Sequence, residues 1–144
     1  MFLFICCAHG QTEWLASLRH GDEARFLTTN QIQRYDLASK AWLPSVTLPR
    51  SGATAMASDG QGTAVAYGAS IYRYSTSLAS EVSIASTSTP IQSLFFDGNL
   101  LIAVHSSGLY ARITVFNRTS GAQISTIQTY VSSMYGASHA SGAN

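Results

Sequence analysis

The feature that most constrains this chain is residues 91–129, IQSLFFDGNLLIAVHSSGLYARITVFNRTSGAQISTIQT, where four short apolar runs follow one another between brief polar breaks. Residues 91–96 read as a strand, Asp97-Gly98-Asn99 as a hairpin turn and residues 100–105 as the returning strand. Ser106-Ser107-Gly108 turns the chain into residues 109–116, and residues 117–121 turn it again into residues 122–128. The Asp-Gly pair suits a tight hairpin because Gly takes positive φ freely and Asp or Asn tolerates it. Runs this short, bounded by such residues, are strands rather than helices, and together they predict an antiparallel meander.

The rest of the chain repeats this unit. Residues 13–18, 24–29, 31–37 and 41–48 predict four earlier strands, and residues 53–58, 63–67, 70–75 and 80–86 predict four more. Pro44 marks its strand as an outer edge, because proline cannot donate to a ladder. Tyr35, Tyr74 and Phe116 close the third strand of each unit, at intervals of about 40 residues. Gly21-Asp22, Asp59-Gly60 and Asp97-Gly98 occupy the same first hairpin, and residues 25–29, 64–68 and 101–105 form equivalent apolar second strands. A four-stranded unit at this period is the size of one β-propeller blade, whose inner strands are buried on both faces. The expected fold is therefore all-β, a partial β-propeller of about three blades: residues 12–49, 50–89 and 90–129, with residues 130–138 opening a further blade and 139–144 a tail. Three units are fewer than the roughly 4–8 blades of a closed ring. Open blade faces then predict a homo-oligomer or adjoining blades.

Tyr35-Asp36-Leu37-Ala38-Ser39-Lys40-Ala41-Trp42, followed by Leu48-Pro49-Arg50-Ser51-Gly52, resembles a kelch-type propeller repeat. The resemblance implies that the aromatic pair packs between blades while the Pro-Arg link swings the chain to the next sheet. Gly68-Ala69 stands where kelch repeats carry two glycines, and the third unit lacks the Trp. Residues 115–121, VFNRTSG, are instead similar to the turn of quinoprotein-like and YVTN-type bacterial propeller repeats. Such folds host scaffolds and enzymes alike.

Composition narrows the function classes. Only 10% of residues are charged, against roughly 25% in an average soluble protein, and the net charge is +1 with both signs interspersed. That excludes the basic footprint of a nucleic-acid or anionic-membrane binder. The abundance of Ser, Thr, Ala and Gly fits an extracellular β-rich protein. Residues 1–10, MFLFICCAHG, read as a signal-peptide remnant: an apolar run ends in Ala8-His9-Gly10, and cleavage would leave Gln11 first. The expected location is secreted, periplasmic or cell-surface. No other run approaches the ~20 apolar residues of a membrane span. Cys6 and Cys7 are adjacent, cannot bridge to each other in ordinary geometry, and make no zinc site alone.

No catalytic constellation, metal set or cofactor motif stands out. There is no Gly-x-Ser-x-Gly elbow and no phosphate-cradling glycine loop. His20, Asp22 and Glu23 crowd one turn and read as a solvated hairpin, and Asp59 and Asp97 as turn residues. Asn117-Arg118-Thr119 is a glycosylation sequon, expected in an exposed turn. Tyr35, Tyr72, Tyr74, Tyr110, Trp42 and Phe116 recur near strand ends, where inter-blade packing accounts for most of them. Tyr72 and Tyr110, which flank short loops, are the surface binding candidates, and His105 joins them as a strand-end residue that could face a central channel. The expected function is a non-enzymatic, exported module that binds a protein or another macromolecule. A piece of a propeller hydrolase or quinoprotein-like enzyme and a lectin-like glycan binder are the alternatives.

Overall fold

The computed structural model describes residues 13–108 and 110–130. Twelve strands follow one another: β1 (Ala16–His20), β2 (Glu23–Leu27), β3 (Gln31–Asp36), β4 (Ala41–Thr47), β5 (Ala53–Ser58), β6 (Gly62–Tyr67), β7 (Ser70–Ser75), β8 (Glu81–Ser86), β9 (Ile91–Asp97), β10 (Leu100–Ser107), β11 (Tyr110–Asn117) and β12 (Gln123–Tyr130). They form three antiparallel four-stranded sheets, β1–β4, β5–β8 and β9–β12, each a simple meander with its last strand outermost. The molecule is all-β, with three propeller-type blades among the described residues.

Short loops fix the registers. Gly21-Asp22, Gly68-Ala69 and Gly98-Asn99 are two-residue hairpin loops, with His20 opposite Glu23, Tyr67 opposite Ser70 and Leu100 opposite Asp97. The first loop residue has φ of +58°, +58° and +53° respectively, while the second residue stays at negative φ, which is the type II′ turn that a leading glycine permits. The first hairpin is thus tighter than the four-residue turn expected at residues 20–23, and β1 runs to His20 rather than ending at Leu18. The expected signal segment, residues 1–10, lies outside the described residues. Tyr130 closes β12 opposite Tyr110, and residues 131–138, expected to open a further blade, lie outside as well.

A side-chain oxygen caps each outer turn, reaching amides two and three residues on in the first and third blades and four and five residues on in the second. Asp36 Oδ1 accepts from the amides of Ala38 and Ser39, Asn117 Oδ1 from those of Thr119 and Ser120, and Ser75 Oγ from those of Ala79 and Ser80. A left-handed residue then leads back into the outer strand: Lys40 at φ +56°, Leu78 at +64° and Gly121 at +71°. Each outer strand pair also carries a register shift, at Ile32/Arg34, Ile71/Tyr72 and Val115/Phe116. Bulges of this kind add local twist.

The blades stack face to face, so each has a rear face toward the preceding blade and a forward face toward the next. Forward residues Leu27, Ile32 and Leu48 of the first blade pack with rear residues Met56, Val65 and Tyr74 of the second. Forward residues Ala57, Ala64, Ala66 and Ile71 of the second pack with rear residues Leu94, Leu101 and Phe116 of the third. Because β6 serves both cores, Gly62 through Ala66 are all buried. Small side chains on one face of the second blade let the larger side chains of the third approach closely.

Candidate functional site

Polar ties cross both junctions. Arg25 on β2 is buried, with 1% of its side chain exposed. Its Nε donates to Glu23 Oε2 at 3.1 Å, Nη1 to Thr63 Oγ1 at 2.7 Å and Nη2 to the Thr76 carbonyl at 2.8 Å. Arg34 completes the cluster with two donors on Glu23. These guanidinium groups hold the Glu23 carboxyl below its ordinary range, chiefly through the Arg34 hydrogen bond. Beside them lies an open hollow of about 590 Å³ lined by His20, Asp22, Glu23, Arg34, Asp36 and Thr76. His20 is buried, with Nδ1 2.5 Å from Ser58 Oγ of the second blade. The buried charges here are committed to structural partners, the exposed Asp22 lies 3.9 Å from Arg19, and among the described residues no three His, Cys, Asp or Glu side chains stand close enough to hold a metal.

The second junction is tied by Asp59, whose side chain is 1% exposed. Its Oδ1 accepts from the amides of Gln61 and Gly62, and its Oδ2 takes Arg73 at 2.5 Å and lies 3.5 Å from Arg118 of the third blade. The turn role expected of Asp59 is present, and an inter-blade ion pair is added to it.

The three candidates read from the sequence lie in three different places. Tyr72 is half-buried at the outer part of the first junction, with the Arg50 guanidinium 4.1 Å over its ring and Tyr67 edge-on at 5.7 Å. Arg50 also pairs with Glu81 at 3.0 Å, and Glu81 accepts from Tyr74 Oη at 2.7 Å, which lies 2.6 Å from Tyr67 Oη. Burial and the neighbouring Glu81 push the Tyr74 phenol well above its ordinary value. Tyr110 is half-buried at the end of β11 against Tyr130, ring centroids 4.8 Å apart. His105 is 1% exposed, with Nδ1 2.6 Å from Thr89 Oγ1 and Nε2 2.8 Å from Thr114 Oγ1. Both its ring nitrogens are partnered inside the second junction, so the side chain faces no channel. The sequon residue Asn117 is half-buried, its Oδ1 held by two amides.

What the structure assembles instead is an aromatic surface on the rear face of the first blade. Trp14 stacks on Phe26 at 4.4 Å, Phe26 lies 5.8 Å from Trp42, and Tyr35 meets Trp42 edge-on at 5.2 Å. Trp14 Nε1 donates to Gln33 Oε1 at 2.8 Å. Trp14 is 52% exposed and Trp42 56%. Alternation places the patch, since Phe26 and Tyr35 face away from buried Leu27 and Ile32. Tyr35 and Trp42 were visible in the sequence as an aromatic pair. Phe26 was legible only from strand parity, and Trp14, ahead of β1, carried no signal.

No protein-family model matches the chain, and no curated protein does either. Solved structures do resemble it. U3-55K superposes with a TM-score of 0.64 at 15% identity, covering 83% of this chain and 40% of that one. Sqt1 of Saccharomyces cerevisiae gives 0.57 at 16%, covering 74% and 30%. The computationally designed protein Ika4 gives 0.62 at 15%, covering 82% and 74%. The first two are WD40-type propeller proteins, and the chain spans less than half of either. At these identities the likeness shows the fold alone: a propeller-type arrangement of blades.

Proposed function

We propose that the chain is a non-enzymatic, exported propeller-type module that binds another protein through the rear face of its first blade. The observation that carries this reading is the contiguous patch of Trp14, Phe26, Tyr35 and Trp42, with both tryptophans more than half exposed. Aromatic clusters of this kind supply most of the binding energy at protein interfaces. The occupant that fits is the aliphatic face of another β-sheet. Both internal junctions seat an aromatic-bearing rear face, with Tyr74 or Phe116, on a face of small and aliphatic side chains from the neighbouring blade. Within the propellers, the Tyr35-to-Trp42 and Pro49-Arg50 pattern supports a kelch-like repeat, and residues 115–121 a YVTN-like one. Export rests on the residue 1–10 pattern and the low charge.

A photo-reactive residue installed at position 42 in the producing cell tests the binding face, with position 82 as control, since Val82 is 64% exposed on the outer strand of the second blade. A protein adduct at position 42 and none at 82 supports the reading. No adduct, or equal adducts at both, overturns it. The same four rings would also stack on a sugar, so retention on a glycan array abolished by Trp42→Ala would replace the protein partner with a glycan. The intact mass of the secreted product tests export, which requires Gln11 as the first residue.

A further inference from the structure

The outer edges of the three blades are defended unequally. The outermost strand of any blade leaves one row of backbone N–H and C=O groups without a ladder partner, and proteins guard such rows with proline, charge or cover. β4 carries Pro44, which removes a donor from the row. β8 begins at Glu81, paired with Arg50, and its Ile84 carbonyl lies directly against Gly121 in the outer turn of the third blade. β12, Gln123–Tyr130, has none of these: no charge, no proline, and all eight residues exposed. Its sequence, QISTIQTY, is rich in Ile, Thr and Tyr, residues that favour pairing.

We infer that β12 pairs with β12 of a second copy of this chain, antiparallel about a two-fold axis, so that two blades join into one continuous eight-stranded sheet. A two-fold axis perpendicular to a sheet places a residue opposite its own copy. With Ile127 on the axis, Ile127 faces Ile127 of the second copy, Ser125 faces Thr129, and Thr126 faces Gln128. Every pair in this register is uncharged, and the central one is apolar between residues 61% exposed in the single chain. Cross-strand pairs of this kind favour association, whereas like charges at the same position oppose it. A second copy is the occupant that meets an uncharged edge without repulsion and in a self-complementary register.

Charge complementation at position 127 tests the proposal. The wild type should form a concentration-dependent dimer by light scattering, while Ile127→Lys and Ile127→Glu should each be monomeric and an equimolar mixture of the two should dimerise again. Val82→Lys on β8 and Trp42→Ser on the aromatic face should leave the dimer intact. A wild type that stays monomeric at every concentration overturns the proposal, as does a dimer that survives both charged variants at position 127. A dimer lost only with Trp42→Ser overturns it too, and assigns self-association to the aromatic face. If the charged variants fail to fold by far-UV circular dichroism, amide exchange of the wild type decides. Slower exchange in β12 at high protein concentration supports the pairing, and concentration-independent exchange there overturns it.

Discussion

Arg25, on the forward face of the first blade, donates from Nη2 to the Thr76 carbonyl, 2.8 Å away in the outer turn of the second blade. The same guanidinium reaches Thr63 and Glu23, so one buried side chain joins an inner strand and the outer turn of the second blade to the first. Removing one partner of a buried, hydrogen-bonded charge leaves the others desolvated and unpaired. Arg25→Met should therefore destabilise the chain by about 3 kcal/mol, the low end of the usual range because Glu23 keeps Arg34. Arg25→Lys should recover less than half of that, since an ammonium cannot span the three acceptors. Urea denaturation of both variants is the measurement.

The outer turns give a pair of substitutions of opposite sign. Gly121 sits at φ +71°, and a Cβ there would run into the Ile84 carbonyl of the second blade. Gly121→Ala should cost about 3 kcal/mol, combining left-handed strain with overlap against backbone. Lys40 holds the equivalent position in the first blade at φ +56° and is exposed. Lys40→Gly relieves that strain but frees the unfolded chain, so it should be neutral to stabilising by less than about 1 kcal/mol. Thermal melts of the two variants side by side check the contrast.

The blade architecture was legible because its determinants are local. A leading glycine in each two-residue loop, the alternation of Ile32 with Gln33, and the recurrence of Tyr35, Tyr74 and Phe116 all act within one unit. Which face of a blade meets which neighbour is decided across units, and a single strand does not encode it. Residues 25–29 read only as an apolar inner strand, and nothing within it marks Arg25 as the side chain that crosses the junction; the structure buries the arginine and half-exposes Phe26, because Leu27 and Arg25 share the forward face. His105 stood out as a strand-end histidine, but Thr89, which partners it, lies in the link between blades. Tyr72, read as flanking a short loop, lies within β7, and Tyr110 opens β11; each already holds an aromatic or cationic partner.

Tyr74 offers a test of the outer network. Its hydroxyl donates to Glu81 and contacts Tyr67, while its ring is 2% exposed in the first junction. Tyr74→Phe keeps the packing and removes only the hydroxyl, so it should cost about 1–2 kcal/mol through the orphaned Tyr67 hydroxyl. Glu81 retains Arg50, so the same substitution should leave the Arg50–Tyr72 stacking in place. Near-ultraviolet circular dichroism should then keep the tyrosine signal while the melting temperature falls. Loss of that signal would place Tyr74 at the centre of the whole cluster.

Stability should also fall as the solution is acidified below neutrality, ahead of any carboxylate protonation. His20 and His105 are both held below the ordinary histidine value of 6.5, first by burial and then by nearby guanidinium groups, Arg25 for His20 and Arg112 for His105. In the unfolded chain each imidazole takes up a proton near its ordinary value, whereas in the folded chain it resists until a lower pH. The unfolded state therefore binds more protons as pH drops through about 6.5, and linkage makes unfolding progressively easier from there down to the folded-state value. Stability is fully present above 6.5, where both rings are neutral and hydrogen-bonded to Ser58, Thr89 and Thr114. His105→Gln keeps hydrogen-bonding capacity but cannot titrate, so it should flatten the fall in melting temperature between pH 7 and pH 5, and adding His20→Gln should flatten it further. An unchanged pH profile in the double variant would assign the acid sensitivity to other groups.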